Sequence, residues 1–424
     1  MKKNTHDLKQ FYILWSTQSL SQLGSSLTSF SLTLWLYQAS GSALKTAALS
    51  VCSYAPYVLM SIFAGALSDR WDKKKSMLVC DAVAACCTVI IFALLRSGSL
   101  QPWHLYVLNA LDGLMNTVQN PASEVAVTMI TPKERYQQTG GLRAFSRSLN
   151  TILHPVLATA LYSFAGMNVV IAADLITFFV AFFSLLFLIK IPGAPADGEK
   201  NESVLAAARD GLQCLRQHRL VLWLILFLAG VNFVASAFDA ALPAFILPRE
   251  NGGSIVLGWI TTSSGLAMLA GSLLATALPA PKNRVRVIVL TMAFSLTIEN
   301  LLMPLIRFPV FWCLAQVMGY LPVPLMNTNL DVIVRSSIPE NMQGRVYSCR
   351  NTLQFFTIPL GLLLGGWMVD GVFEPFMAAP AGAPLRVLFG TGKGAGAGLM
   401  IFLLGLLGGA ICLIFGRILK GYRA

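Results

Sequence analysis

Charge is what this sequence has least of. Asp, Glu, Lys and Arg make up only 12% of its 424 residues, about half the share found in soluble domains. A soluble core of this length cannot enclose the 55% of residues that are hydrophobic. Histidine is scarcer still, with four in all and no pair at metal-ligand spacing. That leaves no metal centre to expect and makes an intramembrane enzyme the weaker class of function. The phosphate-cradling pattern G-x-x-x-x-G-K-[ST] is missing, so neither nucleotide drive nor any cofactor is expected. The eight cysteines (Cys52, Cys80, Cys86, Cys87, Cys214, Cys313, Cys349 and Cys412) are scattered, mostly inside apolar runs. They read as small packing residues rather than a disulfide framework. No cleavable leader is expected, because the first apolar run is too long and too rich in Ser and Gln.

What the chain has instead is apolar runs of about 20 to 28 residues, the length that crosses a bilayer as a helix. About twelve spans are predicted. Six lie in the first half, at 11–37, 44–68, 77–95, 103–130, 139–164 and 167–189. Six lie in the second, at 220–247, 255–278, 287–306, 310–334, 344–369 and 399–419. The expected domains are an N-terminal six-helix bundle over 1–191, a cytoplasmic linker over 192–219 and a C-terminal six-helix bundle over 220–424. Within the linker, Val204, Ala208, Leu212 and Leu215 share one helical face opposite Arg209, Asp210, Gln213 and Arg216. Two readings stay open for it, an interfacial helix on the membrane surface and a structural tie between bundles. The stretch 370–398 is rich in Gly and Pro and is expected to be irregular.

The net charge of +12 does not point to nucleic acid, because the bases are not gathered on one segment. Counted by alternate ends of the spans, 25 of the 31 Lys and Arg fall on one side and 6 on the other. The basic side is therefore expected to be cytoplasmic, with both termini there. The halves also echo each other. Gly140 precedes Pro155, and Gly344 precedes Pro359, by the same interval in the fifth and eleventh spans. The preceding span in each half carries prolines, Pro121 and then Pro322 and Pro324. Duplicated bundles of this kind are a carrier signature.

Polar side chains within spans face the bundle interior or a wet cavity. Here they line up at helical spacing. Gln18, Gln22, Ser25 and Ser29 form one stripe; Asn109, Asp112, Asn116, Asn120 and Ser123 form another. Arg143, Arg147, Asn150 and His154 align in the fifth span, Asn232, Ser236 and Asp239 in the seventh, and Gln316, Tyr320, Asn327 and Asp331 in the tenth. The substrate-cavity candidates are Gln18, Gln22, Ser25, Asn109, Asn116, Arg147, His154, Asn232, Gln316, Tyr320, Asn327 and Gln354. Asp112, Asp239 and Glu299 are acids deep in their spans, where wetting decides whether a carboxyl binds or releases a proton. They are the candidate proton carriers. Asp174 is expected to accept a hydrogen bond between helices, and Arg143 and Arg147 either to snorkel or to pair with Glu124 or Asp112.

One loop is unusual. Gly65-Ala-Leu-Ser-Asp69-Arg70-Trp-Asp72-Lys73-Lys74-Lys75 joins the second and third spans, and its acids do not serve topology. The pattern G-x-L-x-D-R-x-x-[RK]-[RK] between two spans resembles the signature loop of the major facilitator superfamily. The stretches at 11–18, 121–123 and 343–348 are similar to its bacterial drug and macrolide-efflux branch. Asp72 stands where that family usually has glycine, and Lys73 where arginine is commoner. The resemblance implies two pseudo-symmetric six-helix bundles and a secondary active transporter exporting small amphipathic molecules by proton-coupled antiport. It implies a monomer in the cell membrane, with protons and the lipid bilayer as its other partners and no nucleic acid. It further implies a gate in which Asp69 meets the start of the eleventh helix around Gly344 and Arg345. The bases Arg70 and Lys73 would meet Glu124, while Gly65 allows close helix approach. A carrier of the same fold for one metabolite or siderophore is the alternative.

Overall fold

The computed structural model describes the backbone of residues 6–70, 72–191 and 204–422. Side chains are described for these except residues 6, 7, 61–70, 133, 204–208, 340, 341, 343, 344 and 348. The first half consists of α1 (His6–Ser40), α2 (Ala43–Arg70), α3 (Lys73–Arg96), α4 (Pro102–Ile130), α5 (Tyr136–Ala165) and α6 (Met167–Phe183). A shorter α7 (Val204–Gln217) leads to α8 (Arg219–Ile246), α9 (Ser254–Ala277), α10 (Arg284–Leu302), α11 (Pro309–Tyr320) and α12 (Val323–Ser337). Then come α13 (Glu340–Phe355), α14 (Thr357–Met368), α15 (Glu374–Ala378), α16 (Arg386–Phe389) and α17 (Ala395–Leu419). Among the described residues, eight helical stretches are long and apolar enough to cross a bilayer. Three more, α1, α4 and α5, run for 35, 29 and 30 residues and carry the polar stripes. The chain is an all-α polytopic membrane protein.

Local chemistry sets the helix ends. Asp72 is the N-cap of α3, its carboxylate accepting the Lys75 N–H at 2.8 Å. The acid that departs from the loop pattern thus starts a helix. Lys74 reaches the π-helical turn (Ser184–Leu188) that continues α6, donating to the carbonyls of Leu186 and Ile189 at 3.0 and 2.7 Å, where the helix dipole favours a cation. Prolines act differently in the two halves. Pro121 and Pro155 lie inside unbroken helices. The break at Leu321 and Pro322 separates α11 from α12, with Pro324 in the first turn of α12, and the break before Pro359 separates α13 from α14. At the second break two side-chain bonds, one in each direction, tie the interrupted helix to α8. The Asn232 amide donates to the Gln354 carbonyl at 3.0 Å, and the Thr357 hydroxyl donates to the Ala229 carbonyl at 2.8 Å.

The helices gather into two compact units, Met1–Thr33 with Cys52–Val204, and Leu34–Val51 with Leu205–Ala424. In the first, Phe11, Leu14, Met77, Ala122, Ala126, Leu185 and Ile189 form an apolar core. There α4 lies against α2 so closely that a Cβ on Gly113 would come within 2.1 Å of the Ser53 carbonyl oxygen. Small residues permit such approach where lipid gives helices no hydrophobic reason to associate. In the second unit Gly365 plays the same part against Ala237 of α8.

The helix α7 belongs to this second unit. Gly211 sits against the Arg345 carbonyl, Asp210 accepts from Arg345 at 2.8 Å, and Leu215 is fully buried. On its apolar face, protein covers Leu215. The stretch 370–398 is more ordered than its glycines and prolines imply. It holds a π-turn (Val369–Phe373), α15, a 3-10 turn (Pro380–Leu385) and α16. Pro375 and Pro380 fall in the first turns of their elements, where a missing N–H costs nothing. Arg386 closes the end of α15 by donating to the carbonyls of Met377, Ala378 and Ala379 at 2.7–2.8 Å.

Candidate functional site

In the first unit the polar stripes converge. All six of its helices contribute to the wall of a cavity of about 520 Å³, a size that encloses a drug-like molecule. Phe11, Trp15, Tyr57 and Phe178 supply apolar and aromatic surface; Gln18, Gln22, Ser25, Asn116 and Gln119 supply amides and a hydroxyl. A smaller void of about 60 Å³ shares Ser25 and Asp112 with it and extends to Asn109 and Asp174. The stripe read on α1 and the stripe read on α4 are therefore both cavity walls. Asp174 accepts the Ser25 hydroxyl at 3.1 Å, the interhelical acceptor role expected of it.

Charge is distributed unevenly around this wall. Glu124 takes both arginines of α5, Arg143 through two guanidinium nitrogens and Arg147 through one at 2.7 Å. That cluster carries one cation in excess. Elsewhere, among the described residues, two acids are bonded by side-chain amides. Asp112 accepts from the Asn116 amide at 3.0 Å. Asp81 of α3 is 8% exposed and accepts from Gln18 at 3.2 Å and Gln119 at 2.5 Å. Among the described residues no cation pairs with Asp81 or Asp112. His154 of α5 lies apart from this wall, its ring against the Asn150 carbonyl at 2.9 Å and edge-on to Phe30.

The second unit holds the other candidates. Glu299 of α10 is 5% exposed, and its Oε2 rests on α11 where a Cβ at Gly319 would lie 1.9 Å away. Among the described residues nothing hydrogen-bonds its Oε1. Gln316 is likewise buried with an orphaned Oε1. Tyr320 follows one turn later on the same helix, and Asp239 of α8 is exposed although deep in its span. Asn327 is exposed. Asn232 and Gln354 meet each other through the carbonyl freed at the α13–α14 break, and the Gln354 side chain accepts from Arg350 at 3.1 Å. These two complete a helix break. The Arg350 guanidinium also bridges to Asp331 at 3.1 Å.

Of the expected gate, the side chains of Gly65, Asp69, Arg70 and Gly344 lie outside the described residues. Lys73 is buried, Glu124 is engaged by Arg143 and Arg147, and Arg345 pairs with Asp210. Sequence reasoning missed Asp81 and Gln119. Asp81 is the single acid of α3, about one turn inside the predicted 77–95 span, with no polar stripe on its own helix.

Comparison with known proteins agrees with this architecture. The family model of the Major Facilitator Superfamily matches residues 14–254. Macrolide efflux protein A of Streptococcus pyogenes is 25% identical over 378 residues, covering 88% of this chain and 92% of that protein. Multidrug efflux pump Tap of Mycolicibacterium fortuitum is 22% identical over 364 residues, covering 81% and 86%. Among solved structures, a bacterial homolog of the human lysosomal transporter Spinster, inward-facing and unoccupied, superposes with a TM-score of 0.71. It is 13% identical and covers 100% of this chain and 99% of its own. The apolar helices, the polar cavity of the first unit and the family match lead to one conclusion: the chain belongs to the major facilitator superfamily and is a multi-pass membrane transporter, not an enzyme.

Proposed function

We propose that this transporter exports small amphipathic molecules, of the drug and macrolide type, that carry a cationic nitrogen. Export runs by alternating access between bundles 1–191 and 220–424, in antiport with protons. The observation that carries the substrate reading is Asp81. It is a carboxylate buried in a membrane span, lining a cavity of about 520 Å³ with aromatic walls. Its partners are two neutral amides. A buried charge without a counter-ion is costly, and a bound organic cation removes that cost. Asp112 lines the same cavity and adds to its negative end. The similarity to efflux proteins supports outward movement.

Proton coupling rests on the second-half acids. An ionised Glu299 would have an unpartnered oxygen in a dry setting, so a proton is its simplest partner. Asp239, exposed in this state, is the group through which that proton reaches water. The excess of basic residues on one side supports cytoplasmic termini and a plasma-membrane location. It puts the α1–α2 turn and the stretch 370–398 at the external face. The loop carrying Gly65, Asp69 and Arg70 then works as the cytoplasmic gate.

The reading is tested by accumulation of a fluorescent quaternary-ammonium amphiphile in cells with and without the chain. Cells making it should hold several-fold less of the cation, and an organic anion of similar size should accumulate equally in both. Equal accumulation of the cation would refute export of this substrate class.

A further inference from the structure

Residues Leu34–Val51 form part of the second compact unit, although the rest of α1 and α2 belongs to the first. They comprise the end of α1, a turn with Gly41 at φ 60 and the first residues of α2. Two kinds of contact hold them. Ala47 packs with Ala240 and Leu362, and Gly366 lies so near the α2 backbone that a Cβ on it would come 2.7 Å from the Leu44 Cα.

The polar contact is more specific. The Asp370 carboxylate accepts the Ser42 hydroxyl at 2.6 Å, the Ala43 N–H at 3.0 Å and the Leu44 N–H at 2.9 Å. The first N–H groups of a helix have no partner within it, and the dipole there favours an anion. Ser42 itself accepts the next N–H, that of Lys45, at 3.1 Å. The start of α2 is thus capped jointly, by its own serine and by an acid more than three hundred residues away. Contrast α3 and α10, each capped by the residue just before it, Asp72 and Asn283.

Two further features concern release. Ala43 is fully buried, so water cannot replace the carboxylate while the turn is seated. Asp370 lies in a π-turn, a distortion found often at functional positions. One turn later Glu374 caps a different helix, accepting the N–H groups of Gly394 and Ala397 at the start of α17, each at 3.0 Å.

We propose that Asp370 is a releasable external latch. It holds the α1–α2 turn in the second unit in this state, and its three bonds pass to water each time that turn leaves during transport. The proposal rests on the alternating-access reading but not on the substrate.

A cysteine at Ala47, in a full-length chain freed of its native cysteines and kept in membranes, reports seating of the turn. The readout is its rate of reaction with a membrane-impermeant maleimide applied from outside. Asp370→Asn puts an amide N–H against the helix N–H groups and should speed labelling about tenfold. Ser42→Ala, which removes one bond, should speed it about threefold. Glu374→Gln, which loosens α17 instead, should leave the rate unchanged. An unchanged rate in Asp370→Asn overturns the latch, and so does equal acceleration by Glu374→Gln, which would mean general loosening. If Asp370→Asn fails to reach the membrane, an unchanged rate in Ser42→Ala overturns it. A labelling change without export of the amphiphile would sink the proposed substrate and leave the latch standing.

Discussion

Asp81→Asn should cut transport of a permanently cationic amphiphile by at least about tenfold, while an uncharged molecule of the same shape loses less than about twofold. The substitution keeps the shape of the side chain and an acceptor for one glutamine, so the cavity should persist. What disappears is the charge. Two unit charges about 4 Å apart at an effective dielectric of about 20 attract by about 4 kcal/mol. Desolvating both ions takes back much of that, and a residue of about 1.4 kcal/mol already corresponds to tenfold. Measured as the apparent affinity for each compound, equal losses for charged and neutral substrates would show that Asp81 shapes the cavity without reading charge. Asp112 offers an internal comparison. It is partly exposed and already accepts from its own helix neighbour Asn116, so Asp112→Asn should give the smaller loss.

Glu299→Gln should abolish gradient-driven transport, by at least about tenfold, while sparing exchange of labelled for unlabelled substrate. The glutamine occupies the same space against Gly319 and presents the same kind of unpartnered oxygen, so the packing of α10 on α11 should survive. It cannot release a proton. Ionising the native carboxyl where it lies would cost several kcal/mol without a new partner, which is why its ionisation must accompany rearrangement of the helices. That linkage couples a proton to a conformational step. Loss of both exchange and net transport would assign Glu299 to structure instead. If net transport survived intact, proton carriage would pass to Asp239 or Asp112.

The periodic features of this protein were legible in its residues. Gln18, Gln22 and Ser25 sit at helical spacing, so one face of α1 had to be polar, and that face lines the cavity. Ser25 and Asp174 were legible for the same reason, since an acid near a span end needs a donor from a neighbour. Asp81 was not. Its partners Gln18 and Gln119 come from two other helices, and only their packing makes a lone acid into a cavity group. Glu124 had several basic residues within reach, and the choice of Arg143 and Arg147 is likewise tertiary. The ordered turns of 370–398 depend on Arg386 folding back over α15, which composition does not reveal. Nor does any pattern around 34–51 announce that the ends of α1 and α2 pack with the second half. Asp72 looked anomalous within a loop motif and became ordinary as a helix cap.

On the proposed mechanism, protons moving inward drive the outward transport of an amphipathic cation. Inside-out membrane vesicles test it most directly, with a labelled quaternary-ammonium amphiphile whose fixed charge prevents passive trapping by pH. The vesicle lumen corresponds to the cell exterior, so an acidic lumen sends protons out as substrate enters. Without ATP, imposing a lumen acidic by one pH unit should accelerate uptake several-fold, and collapsing it with a protonophore should return uptake to the rate in vesicles lacking the protein. Uptake that depends on the protein but ignores the imposed gradient would contradict the account.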